Sequence, residues 1–223
     1  MIGILGGMPE EPDAESHAPM PGAEALTEPL RSRWSPSIFD AGHRLPAPEI
    51  VSLLHAAQWA PSSGNLQPWR FVVAERGDVA HQTLVPHLSR GNAGWVPRAS
   101  VVFLAATQVA DPPDRADDEK QVDASINLYC LGQAAAHLTL QAHAMGLWAH
   151  QFQGFDKEAV SDGLGLPPYW RIVAGIAVGV RGNPAEVSER DQQREHRVRV
   201  RKDLAEITYG DAWGVPWAPA TMA

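Results

Sequence analysis

One cysteine, Cys130, is all that this 223-residue chain contains. An intrachain disulfide is therefore excluded, and so is a zinc site built on paired cysteines. Cys130 lies in an apolar helical run and is expected to pack there as a small hydrophobe. No apolar run approaches the roughly twenty residues of a membrane span. The apolar start MIGIL has no basic flank and is too short for a secretory leader. A cytoplasmic protein with no membrane partner is expected. Positive charge is also scarce, with 18 Lys+Arg against 26 Asp+Glu and a formal net charge of −8. That balance argues against a nucleic-acid partner, although one local basic pocket for a small anion stays compatible with it. No G-x-S-x-G elbow is present, which argues against Ser62 or Ser63 as a nucleophile. The glycines of GIAVGVRG (175–182) lack the G-x-G-x-x-G spacing of a dinucleotide fold. His137 and His143 stand six apart on one helix, not one turn apart, so no metal site is expected. There are no internal repeats.

The remaining composition is that of an ordinary globular domain, 44% hydrophobic and 20% charged. Residues 1–28 are rich in Pro, Glu, Ala and Gly without apolar period and are expected to form a mobile arm. Residues 29–223 are expected to form one domain. Pro46 and Pro48 open a helix carrying Ile50, Leu53, Leu54 and Ala57, which must stop near Ala60 before Pro61. Strands are expected at 70–74, 100–106 and 172–180, and a short strand or extended link at 148–152. Asp78 and Asp156 are placed to cap helices running to about Leu88 and Leu164. Residues 111–121 form a charged, proline-bearing loop and a candidate lid. The longest helix, about 122–145, ends at Gly146 and is apolar on much of its circumference, as at a subunit interface. The tail at 198–217 carries Leu204, Ile207, Trp213 and Trp217, apolar weight that is expected to dock on the body or on a partner. Long helices with few, separated strands indicate an α+β sandwich.

Four segments carry chemistry. RWSPSIFD (33–40) sets the Arg33 fork beside the Ser35 hydroxyl, donors suited to a phosphate. PSSGNLQPW (61–69) is far richer in hydrogen-bonding groups than a turn needs. Its Asn65 and Gln67 can each donate and accept, as the edge of a heterocycle requires. Trp69 is expected in the core. QGFD (153–156) offers backbone at a glycine, where a ligand can approach closely. His150 nearby is expected to be structural. Arg199 and Arg201 share one face of an extended segment.

Together these segments resemble the nitroreductase family of flavin enzymes, most closely over LTLQAHAMGLWAHQFQGFD (138–156). The resemblance covers about residues 31–213. It implies a central, mostly antiparallel sheet flanked by helices, with a long buried helix at a homodimer interface. It implies FMN as cofactor and NADH or NADPH as co-substrate. Hydride would pass through flavin N5 to a nitroaromatic, quinone or similar acceptor, in ping-pong fashion. Arg33 and Ser35, with the backbone of Trp34, would hold the FMN phosphate, completed by Arg199 and Arg201. Ser37 stands where many relatives have a basic residue. Pro61, Ser62, Ser63, Asn65 and Gln67 would border a flavin bound mainly by the other subunit. Gln153 and Gly154 would present a backbone N–H to flavin N5. The flavin carries the hydride, so no catalytic side chain is assigned. Two alternatives accompany this: a specialised flavin reaction on the same fold (reductive dehalogenation, ring dehydrogenation or flavin fragmentation), or a non-catalytic flavin-binding protein.

Overall fold

The computed structural model describes residues 22–117 and 120–221. The first 21 residues of the expected arm lie outside them.

Four strands form one antiparallel sheet in the order β1-β2-β4-β3. They are β1 (Trp69–Glu75), β2 (Val101–Gln108), β3 (Trp148–Phe152) and β4 (Trp170–Gly179). The central strand β2 is apolar at nearly every position because both of its faces are covered. Val101, Phe103 and Ala105 point to one cluster, shared with helices α1 (Ala47–Gln58) and α3 (Ala124–Ala144). Val102, Leu104 and Ala106 point to the other, with Phe39, Trp95 and the helices α2 (Val79–Leu84) and α4 (Lys157–Gly163). The result is the α+β architecture that the sequence implies.

Local chemistry sets the ends of these elements. Asp78 accepts from the His81 amide and Asp156 from the Ala159 amide, capping α2 and α4. Helix α2 is shorter than expected. It gives way at Val85 to a 3-10 turn containing Pro86, which cannot continue the backbone ladder. Gly146, at φ +74°, ends the turn after α3. The 111–121 loop is tied at its base by Asp111, which pairs with Arg115 at 3.2 Å and accepts from the Val122 amide at 2.8 Å.

Two apolar surfaces stay open in the single chain. Helix α3 is buried on one side. Cys130, Leu131, Ala134, Ala135, Leu138 and Ala142 face inward, while Tyr129, Gly132 and Ala136 are exposed on the opposite side. The tail does not dock on its own body: Trp213 is 92% exposed, and Leu204, Ile207 and Trp217 are more than half exposed. The short helix α5 (Glu189–Glu195) precedes the tail, and the short helix α6 (Leu204–Ile207) lies within it.

Gly175 shows how closely the sheet is packed. It faces Phe152 across β3 and β4, and a Cβ there would lie 2.3 Å from the ring. Gly175→Ala is expected to cost about 1–3 kcal/mol of stability by overpacking. Calorimetry should show a lower thermal midpoint; an unchanged one would mean that the ring moves aside freely.

Candidate flavin site

The segment after residue 30 packs Trp34, Ser37, Ile38 and Phe39 into the body, leaving Arg33 half-buried beside them. Arg199 comes to the same place from the chain's far end. Its guanidinium lies 4.9 Å from the centre of the Trp34 ring, and that of Arg181 lies 5.3 Å from it. Trp148 meets Trp34 edge-on at 5.6 Å. Burial pushes the Arg33 pKa down, helped by the positive charge of Arg201. Arg199 is pushed down to about 10, by burial first and then by Arg33 and Arg201, and the opposing pull of Glu195 offsets only part of this.

Three like charges held together are unfavourable unless an anion joins them. The Nε atoms of Arg33 and Arg199 are buried with no hydrogen-bond partner among the described residues. Buried donors of that kind are costly to leave unmade. The donor set therefore fits a phosphate. Ser35 stands beside it, its hydroxyl 3.5 Å from an Arg33 nitrogen. Arg201 is exposed at the rim.

Ser37 is buried, and its amide donates to Glu195 Oε1 at 2.5 Å. Burial pushes the Glu195 carboxyl up, against the opposing pull of that amide, Arg181, His196 and Arg199. Glu195 thus fastens α5, and with it the approach to Arg199, to the segment that carries Arg33. His150 lies on the neighbouring strand. Its Nδ1 is 2.8 Å from the Pro36 carbonyl oxygen and its ring stacks on Trp95 at 4.2 Å. Burial lowers its pKa, against the pull of the Pro36 carbonyl, and its stacking and hydrogen bond give it a structural place.

Gln153 and Gly154 follow β3 directly. The Phe155 amide donates to the Gln153 carbonyl at 3.0 Å. In a trans peptide the C=O and N–H point in opposite directions, so the Gly154 N–H is turned away from this tight turn. It donates to no other group among the described residues.

Pro61, Ser62, Ser63, Asn65 and Gln67 occupy a loop that is largely exposed. Ser62 Oγ accepts from the Gln67 amide at 3.0 Å, and Gln67 Nε2 donates to Asn65 Oδ1 at 2.9 Å. Asn65 (φ 57°) and Gln67 (φ 47°) both take left-handed backbone conformations. Strain of this kind in non-glycine residues gathers at binding sites. The Ser63 amide donates to Cys130 Sγ at 3.4 Å, which seats the loop on α3. Beside it lies a cavity of about 170 Å³, lined by Leu66, Gln67, Arg70, Lys120, Asn127 and Trp170.

The structure thus brings Arg33, Ser35, Arg199 and Arg201 together but leaves residues 61–67 apart from them. The loop rests at Cys130 of α3. The arginine segment is anchored at the other end, where Ser32 Oγ lies 2.6 Å from His143 Nε2. Those anchors are thirteen residues, or about 20 Å, apart along the helix. Arg181 and Glu195 were missed in the sequence. Arg181 shows only as a basic residue just after a buried strand. Glu195 lies in the charged run ERDQQRE, which has no apolar period, though Ser188 followed by Asp191 is a start signal for that helix.

A four-stranded antiparallel sheet between helices, carrying an arginine anion cradle and a glycine turn, is the frame of a flavin oxidoreductase. The chain belongs to the nitroreductase family, whose model matches residues 30–93 and 78–180. It is 31% identical over 179 residues to protein DrgA of Synechocystis sp., spanning 70% of this chain and 84% of that one. It is 32% identical over 168 residues to an NADH dehydrogenase of Thermus thermophilus, spanning 63% of this chain and 79% of that one. A crystal structure of an oxidoreductase containing FMN superposes with a TM-score of 0.73 at 30% identity, covering 82% of this chain and 90% of the other.

Proposed function

We propose that the protein is a cytoplasmic, homodimeric FMN-dependent reductase. It oxidises NADH or NADPH and reduces nitroaromatic, quinone or similar small acceptors. The observation that carries this is the convergence of Arg33, Arg199 and Arg201, two of them with buried, unpartnered Nε donors. When bound, FMN supplies the hydride relay that no protein side chain can. The relatives described above support both the flavin and the nicotinamide.

The chain's own residues bind and orient. Arg33 and Arg199 take the phosphate through charge-assisted hydrogen bonds, with Ser35 and Arg201 at its margin. Trp34 backs the cluster as a buried aromatic floor. The outward N–H of Gly154 is the donor for flavin N5, where a fixed dipole stabilises developing negative charge. No side chain is assigned as acid or base.

A second copy completes the site. An isologous pair of α3 helices running antiparallel about a two-fold axis places the 61–67 loop of each chain at the arginine end of the other. The uncharged outer stripe of α3 and the exposed apolar tail supply surface for that contact.

The test is optical. Addition of FMN to the purified protein should shift the flavin's visible band and quench its fluorescence. NADH or NADPH should then bleach the band without oxygen, and a quinone should restore it. Free-flavin spectra throughout would contradict the proposal.

A further inference from the structure

We infer that Asn92 is a positioning residue for hydride transfer, acting through the Gly154 turn. This rests on the flavin role proposed above.

The Gly154 carbonyl accepts two hydrogen bonds, from the Ser89 amide at 2.9 Å and from Asn92 Nδ2 at 3.0 Å. Asn92 Oδ1 in turn lies 3.2 Å from Trp95 Nε1, and Trp95 is buried between Phe39 and His150. The Asn92 amide is thus held at both ends. Its oxygen is fixed to a core indole and its nitrogen to the carbonyl of the turn.

The brace fits closely, and a side chain at residue 154 would displace it. A Cβ on residue 154 would lie 2.5 Å from Ser89 Oγ and 2.7 Å from Asn92 Nδ2. Arg194 of α5 supports the same loop, its Nη1 donating to the Gly91 carbonyl at 3.0 Å. The Gln153 carbonyl is already taken by Phe155 and the Gly154 carbonyl by Ser89 and Asn92. Both peptide planes of the turn are therefore fixed, and with them the aim of the Gly154 N–H. A donor aimed in advance needs no reorganisation as charge develops, which is where such groups act most strongly.

The variants are Asn92→Asp and Asn92→Ala, compared with wild type as FMN-loaded protein. Aspartate keeps the shape and the acceptor for Trp95 but sets a charged oxygen in place of the N–H donor, whereas alanine removes the donor without adding charge, so an effect shared by both reports the lost donor. The expected result for both is FMN affinity within about twofold of wild type, because the arginine cluster is untouched. Hydride transfer from NADH at saturation should fall about tenfold or more with little change in KM, as when a donor acting at the transition state is lost. The midpoint potential of the bound flavin should become more negative. Amide hydrogen exchange should quicken at residues 89 and 153–155 and remain unchanged in α3 and β2. Wild-type protein that fails to bind FMN would overturn the functional proposal and this role with it. Wild type that binds FMN while both variants match it in rate, potential and exchange would overturn this role alone. A loss confined to thermal stability would do the same, leaving Asn92 a packing residue.

Discussion

Arg33→Ala is expected to weaken FMN binding by roughly tenfold or more, since a hydrogen bond to a charged group contributes about 1.5–3 kcal/mol. Arg199→Ala should do likewise. What sets Arg33→Ala apart is its effect on the protein without cofactor. The Arg33 Nε has no partner to lose, and the charges that act on this guanidinium, those of Arg201 and Arg199, are of the same sign. Deleting the guanidinium therefore removes repulsion and a desolvated cation together. The thermal midpoint without FMN should stay the same or rise while affinity falls. Fluorescence titration and a melting curve on one preparation measure both. Unchanged affinity would take Arg33 out of the site. Lower affinity together with a lower midpoint would make it a structural residue.

Gly132→Arg should abolish both assembly and flavin binding while leaving the single chain folded. Gly132 is exposed on the outer stripe of α3, and a Cβ there meets nothing within 4 Å. Within one chain the change is benign. Arginine is a better helix former than glycine by roughly 0.5–1 kcal/mol. Between two copies packed on that stripe, it places a long cation where only a small residue fits. The separated chain then loses the loop at residues 61–67 of its second copy. Its far-ultraviolet circular dichroism should match wild type, its mass in sedimentation should be that of one chain, and FMN should remain unbound. A variant that is still dimeric and yellow would put the interface elsewhere on the molecule.

Much of the fold was legible because each long element states its period. Helix α1 repeats its apolar residues with helical spacing, β2 is apolar on both faces, and Asp78, Asp156 and Gly146 mark ends by capping chemistry. The four strands were expected within about two residues of where they lie. Where the sequence was silent, the determining contact lies far away along the chain. Glu195 and Ser37 meet across 158 residues, and Asn92 reaches Gly154 across 62. Neither link has a local pattern. Helix α5 was invisible for another reason: ERDQQRE buries only Glu195, so no apolar period exists to reveal it. The arginine segments were visible as candidates, but their convergence was not, because composition carries no distances. Helix α3 read as apolar on much of its circumference because its outer stripe of Gly132, Ala136 and Tyr129 is uncharged, and in one chain that stripe stays open.

The most direct test is sedimentation equilibrium of the FMN-loaded protein, followed in the flavin's own visible band. If the cofactor is gripped by the arginines of one chain and enclosed by the loop of a second, the colour must distribute with the mass of two 24.1 kDa chains. Flavin colour travelling with a single chain, or remaining as free dye, would contradict the account.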